Sequence, residues 1–158
     1  MKSKVVLIIT AANCKSCVRF KNSYAEETKR LLKDKGAEVV SIEYARVGGP
    51  MPKLLEEEGR GRELSKFILW FPIILMIDSK TYNNKKIPLS FSNVDVYGLI
   101  IDKKTGKRKA NTQISYLPSS VISWFNVTKN ETINVPIMAE PLTMLKSGVP
   151  PKDISFRL

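Results

Sequence analysis

The sequence has no histidine, only two cysteines and few carboxylates: of 158 residues, 15 are Asp or Glu against 26 Lys or Arg, a formal net charge of +11. Each shortage excludes a chemistry. Without histidine there is no Ser-His-Asp triad, no Cys-His pair and no imidazole ligand for a metal. Two thiols cannot supply a four-ligand structural zinc site, so neither a metal nor a cofactor is expected. Long apolar runs are also missing. The longest, residues 67–77, is interrupted by Pro72 and falls short of the about 18 residues that a membrane span needs, so no membrane association is expected.

Lys2 and Lys4 ahead of the apolar residues 5–9 have the outline of a signal peptide, but the run is too short and no small-residue cleavage site follows. The expectation is a soluble protein of a reducing compartment, cytoplasmic. The patterns Asn126-Val127-Thr128 and Asn130-Glu131-Thr132 are then expected to stay unglycosylated.

What is present has a clear order. Residues 5–9 are β-branched and aliphatic throughout, the pattern of a strand covered on both faces. After Ala11-Ala12-Asn13, apolar or small residues recur at Cys17, Phe20, Tyr24, Thr28 and Leu31 with charges between them, which predicts one amphipathic helix ending at Gly36. Residues 39–44 read as a second strand, and strand, helix, strand through short connections implies parallel pairing by a right-handed crossover. Residues 52–69 are expected to be helical with an interruption at Gly59-Arg60-Gly61, and residues 71–77 to form a strand opened by Pro72. Beyond a polar stretch at 79–92, residues 94–101 and 108–114 flank Lys103-Lys104-Thr105-Gly106-Lys107 as a hairpin. Leu117-Pro118-Ser119-Ser120 starts a last helix that runs towards Asn130. Residues 131–158 carry Pro136, Pro141, Pro150 and Pro151 without a sustained period and are expected to be an extended tail.

The two cysteines, Cys14 and Cys17, form a C-x-x-C at the junction of the first strand and helix. At a helix start, free backbone N–H groups and the positive end of the dipole favour an anion, so Cys14 is the candidate nucleophile. Cys17, one turn further on, is near enough to attack a mixed disulfide formed on Cys14. Lys15, Arg19 and Lys21 bring positive charge that supports a thiolate. Two cysteines at this spacing can also be small core residues with no redox turnover.

This order, with a C-x-x-C after a buried strand and Phe71-Pro72-Ile73 opening a later one, resembles the thioredoxin-like superfamily, which includes thioredoxins and glutaredoxins. The resemblance covers roughly residues 4–130. It implies an α/β, thioredoxin-like fold: a central mixed β-sheet flanked by helices, in a domain of residues 1–130 with an inserted segment at 79–107, followed by the tail at 131–158. It further implies that Cys14 attacks, that Cys17 resolves, and that Pro72 is cis and faces them while the backbone of Phe71 holds the substrate. In the family a strand antiparallel to the proline strand precedes the last helix, and either 94–101 or 108–114 fits that place. The partners implied are protein disulfides or dithiols and a reductant or oxidant that the sequence does not identify. Departures are equally legible: Asn13-Cys14-Lys15-Ser16-Cys17 stands where thioredoxins have Trp-Cys-Gly-Pro-Cys, and Ile8 where they have a buried acid. The Gly-Gly and acidic motif with which glutaredoxins hold glutathione is absent between residues 77 and 101. Without the acid and with Lys15 between the thiols, a potential of about −230 to −180 mV is expected, more oxidising than thioredoxin's.

The basic excess is concentrated at residues 80–109, with eight Lys or Arg against Asp95 and Asp102. It reads as a solvated face or as a grip for an acidic protein partner. With only Tyr82, Phe91 and Tyr97 interleaved, the aromatic platform of a single-strand binder is thin, which argues against nucleic acid. Trp70 and Phe71 either line an apolar substrate groove or belong to the core. The alternative to an enzyme is a non-catalytic thioredoxin-like component of a larger assembly, such as a virion protein of a large DNA virus, docking through the inserted segment and tail.

Overall fold

The computed structural model describes residues 3–57, 59–102, 104–111 and 114–129. The tail at 131–158 and the pattern Asn130-Glu131-Thr132 lie outside the described residues.

β1 (Lys4–Ala11) is apolar from Val5 to Ile9 because it is central. It pairs in parallel with β2 (Ala37–Tyr44) and antiparallel with β3 (Ile73–Asp78), so that Leu7 lies between Val40 and Leu75. β4 (Val94–Val96) adds antiparallel to β3, giving a mixed sheet in the order β2-β1-β3-β4. Val5, Val6, Leu7, Ile8 and Ile9 are all buried, and at about 1.5–3 kcal/mol for each such side chain this strand anchors the core. The architecture is α/β, with helices flanking a mixed sheet. Among the described residues no helix is long and apolar enough to cross a membrane.

The expected single helix after β1 is instead two, α1 (Lys15–Ser23) and α2 (Ala25–Asp34), with Tyr24 between them at φ −130°. Asn22 and Ser23 are weak helix formers. The Thr28 hydroxyl also donates to the Tyr24 carbonyl at 2.9 Å, beside the bond that carbonyl accepts from the Thr28 N–H at 3.0 Å. Such back-bonding bends helices. α2 packs on β2 and on the last helix, α6 (Pro118–Lys129).

Residues expected as one interrupted helix form α3 (Lys53–Glu57) and α4 (Gly61–Ser65). α4 stops short of Leu69 because Phe67, Ile68, Leu69, Trp70 and Phe71 are all buried, a run no amphipathic helix accommodates. Pro72 has no N–H to give to the ladder, and β3 begins one residue later.

The polar stretch contains a helix that sequence patterning missed, α5 (Ser79–Asn83). It is held by Arg60, whose side chain is 0% exposed. The guanidinium donates to the carbonyls of Thr81 (2.5 Å), Tyr82 and Asn84 (3.4 Å each) and Ile87, and pairs with Glu63 at 3.0 Å. The other Glu63 oxygen accepts from the Leu89 N–H at 2.8 Å.

The expected strand 94–101 is divided. Gly98, at φ +90°, turns the chain out of β4 into β5 (Leu99–Ile101), which pairs antiparallel with β6 (Arg108–Ala110) as a separate hairpin. The strand beside β3 therefore comes from the first of the two candidates, 94–101, and not from 108–114.

Candidate active site

β1 ends at Ala11 and the chain enters α1 through Cys14, its N-cap, in extended conformation at φ −98° and ψ 116°. The Cys14 sulfur accepts from the Cys17 N–H at 3.1 Å, taking the place a Ser or Asp oxygen holds in an ordinary cap. Cys17 lies one turn inside, and its sulfur accepts from the Ala11 N–H at 3.4 Å. Asn13 caps the entry from outside: its Oδ1 accepts from the Val47 N–H at 2.8 Å, tying the loop after β2 to the cysteine turn.

Across the site stands the start of β3. The Phe71–Pro72 peptide is cis, and the Phe71 carbonyl oxygen is 3.8 Å from the Cys14 sulfur. Residues separated by 57 positions thus meet because β1 and β3 are neighbours in the sheet. Phe71 packs edge-on against Tyr44 at the end of β2, with ring centres 5.2 Å apart. Trp70 and Phe71 are both fully buried, so of the two readings offered for these side chains the core is the one observed.

The two thiols are not equivalent. The Cys14 pKa is lowered to about 7, chiefly by the hydrogen bond from the Cys17 thiol, then against the opposing effect of burial by the N–H groups of Cys17 and Ser16 and by the Lys21 charge. The Cys17 pKa is raised, because its proton is shared with Cys14 and because it is buried. The pair therefore loses one proton near neutrality and keeps the second. Lys15 and Arg19 lie exposed on α1, whereas the cationic contribution to Cys14 comes from Lys21, which also pairs with Glu43 on β2. Both sulfur-bearing residues are 0% exposed.

Tyr116 was not legible as a site residue. Its hydroxyl donates to the Pro72 carbonyl at 2.6 Å and accepts from the Trp70 indole N–H at 3.2 Å. Nothing in the local sequence signals this, since the contact spans 44 residues. The basic residues Lys80, Lys85, Lys86, Lys104, Lys107, Arg108 and Lys109 are exposed, and Arg108 stacks on Phe91 at 4.1 Å. None of them enters the cysteine site.

Comparison with known proteins finds no matching family model, no matching curated protein and no matching solved structure.

Proposed function

We propose that this protein is a thioredoxin-like thiol-disulfide oxidoreductase acting on protein substrates through Cys14 and Cys17. The observation that carries the reading is the Cys14 sulfur at the N-terminus of α1, bonded to the Cys17 N–H at 3.1 Å, with its pKa lowered to about 7. A thiol with a pKa near 7 is about half ionised at neutral pH, against roughly 3% at the ordinary value of about 8.5. Further support comes from the Phe71 carbonyl beside the sulfur, where a substrate chain can add alongside as an extra strand.

The exchange balances as follows. The Cys14 thiolate attacks one sulfur of a substrate disulfide; the substrate S–S bond breaks, a mixed disulfide forms, and the departing thiolate takes up a proton. Cys17 then loses its proton and attacks the Cys14 sulfur, closing the internal disulfide and releasing the substrate as a dithiol. The substrate gains two electrons and the protein loses two. The timing follows from the causes of the Cys17 shift: its hydrogen bond to Cys14 and the Cys14 charge both raise its pKa, and both vanish when Cys14 enters the mixed disulfide. A dithiol reductant, itself oxidised to a disulfide, restores the pair.

The test is reduction of insulin disulfides. Cys14→Ser is expected to abolish turnover, and Cys17→Ser to trap a mixed disulfide with substrate. The complete burial of both thiols favours a second reading, a non-catalytic thioredoxin-like component of an assembly. Absence of turnover, with Cys14 alkylating at a midpoint of about 8.5, would decide for that component and against the enzyme.

A further inference from the structure

We infer that Tyr116 is a positioning residue for this site: its hydroxyl grips the residues on either side of Phe71 and so aims the Phe71 main chain at Cys14. The inference rests on the disulfide-exchange reading above.

Phe71 meets the cysteine site through its carbonyl, 3.8 Å from the Cys14 sulfur, and its chain neighbours are Trp70 and Pro72. One oxygen holds both of its neighbours. Tyr116 Oη donates to Pro72 O at 2.6 Å and accepts from Trp70 Nε1 at 3.2 Å. The phenol is itself fixed on two sides, by Phe20 of α1 at 5.7 Å and by Tyr97 at 5.4 Å between ring centres. Phe20 lies on the helix that carries Cys17, so the same ring links that helix to the segment before β3. Burial raises the Tyr116 pKa well above the ordinary phenol range, which keeps the hydroxyl a donor at any working pH. Removing the oxygen leaves the Pro72 carbonyl without this donor and the buried Trp70 indole without this acceptor, and the 70–72 backbone is then free to settle elsewhere. A substrate that pairs with this backbone needs it in place. A small disulfide that reaches only the sulfur does not.

The experiment compares wild type with Tyr116→Phe on two substrates, a peptide disulfide long enough to lie along residues 71–72 and the disulfide of 2-mercaptoethanol. For the peptide, kcat/KM is expected to fall about tenfold, mostly through KM. For the small disulfide it is expected to stay within about twofold, with the Cys14 alkylation midpoint unchanged near 7. An equal fall on both substrates, or no fall on either, overturns the positioning role. If wild type reduces neither disulfide, the proposed enzyme function fails instead, and the positioning role falls with it. Should Tyr116→Phe not fold, Trp70→Phe removes one of the two anchors; a selective loss of about threefold on the peptide supports the inference and a loss shared by both substrates overturns it.

Discussion

Arg60 and Cys14 both place a polar side chain at 0% exposure, and they are held in opposite ways. The Arg60 guanidinium is saturated: the carbonyls of Thr81, Tyr82, Asn84 and Ile87 and the Glu63 carboxylate accept from it. Its donors and their acceptors close on one another, so the cluster has one arrangement. Cys14 is held by fewer contacts, made to sulfur, at 3.1 Å from the Cys17 N–H and 3.8 Å from the Phe71 carbonyl. Its proton leaves near neutrality, and the cluster has two states. The difference teaches where to look for chemistry in a basic protein: not where the cations are best paired, but where hydrogen bonds at a helix start outweigh burial and leave a titratable group poised.

Breaking the saturated cluster gives the larger effect. Arg60→Met strands several carbonyls and the Glu63 carboxylate, and is expected to lower unfolding stability by about 3 kcal/mol, read by urea denaturation. Lysine at this position should recover only part of it, because a single ammonium cannot serve a fan of carbonyls. The proposed disulfide-exchange activity, per folded molecule, should stay as in wild type. A loss under about 1 kcal/mol would show that α5 and the chain after it do not depend on this anchor.

Titrating the poised cluster gives the next effect. The folded protein releases the Cys14 proton at about 7, the unfolded chain only at about 8.5. Between these values the unfolded state binds more protons, so the stability of the reduced protein rises with pH, by on the order of 2 kcal/mol, and the gain is gone below pH 7. Above about 8.5 stability falls again, since Cys17, its pKa raised in the fold, stays protonated while the unfolded thiol ionises. Reduced Cys14→Ser should show only the fall. A flat or descending profile for wild type between pH 7 and 8.5 contradicts the assignment of a lowered pKa to Cys14.

The same contrast separates what the sequence made legible from what it did not. β1 and β3 were readable because both are unbroken aliphatic runs, and a strand with neighbours on both sides admits little else. Cys14 and Cys17 were readable because their relation is local: three residues on one helix turn. Tyr116, Arg60 and Gly98 act across the fold. The Tyr116–Pro72 contact depends on where α6 begins relative to β3, and the reach of Arg60 to residues 81–87 depends on how α4 returns to the sheet. Gly98 looked like an ordinary strand residue, yet a Cβ there would come within 3.0 Å of Ile114. The break at Tyr24 has a smaller signal: a helical spacing of apolar residues continues through it, and only the weak helix formers Asn22 and Ser23 and the Thr28 hydroxyl mark the bend.

The smallest effect tests whether the surface cations matter to the site at all. Of the effects that lower the Cys14 pKa, the Lys21 charge is the least, behind the Cys17 thiol and the N–H groups of Cys17 and Ser16. Lys21 is also engaged with Glu43 and partly open to solvent, so its field at the sulfur is both shared and screened. Lys21→Gln should therefore raise the alkylation midpoint of Cys14 by less than about half a pH unit, and 1 M salt should reproduce most of that rise in wild type. Cys17→Ala, which removes the thiol hydrogen bond but keeps the backbone N–H, should raise it more. If the order is reversed, the positive charge of this protein and not the Cys17 thiol is the stronger support of the thiolate, and the basic composition would then belong to the mechanism.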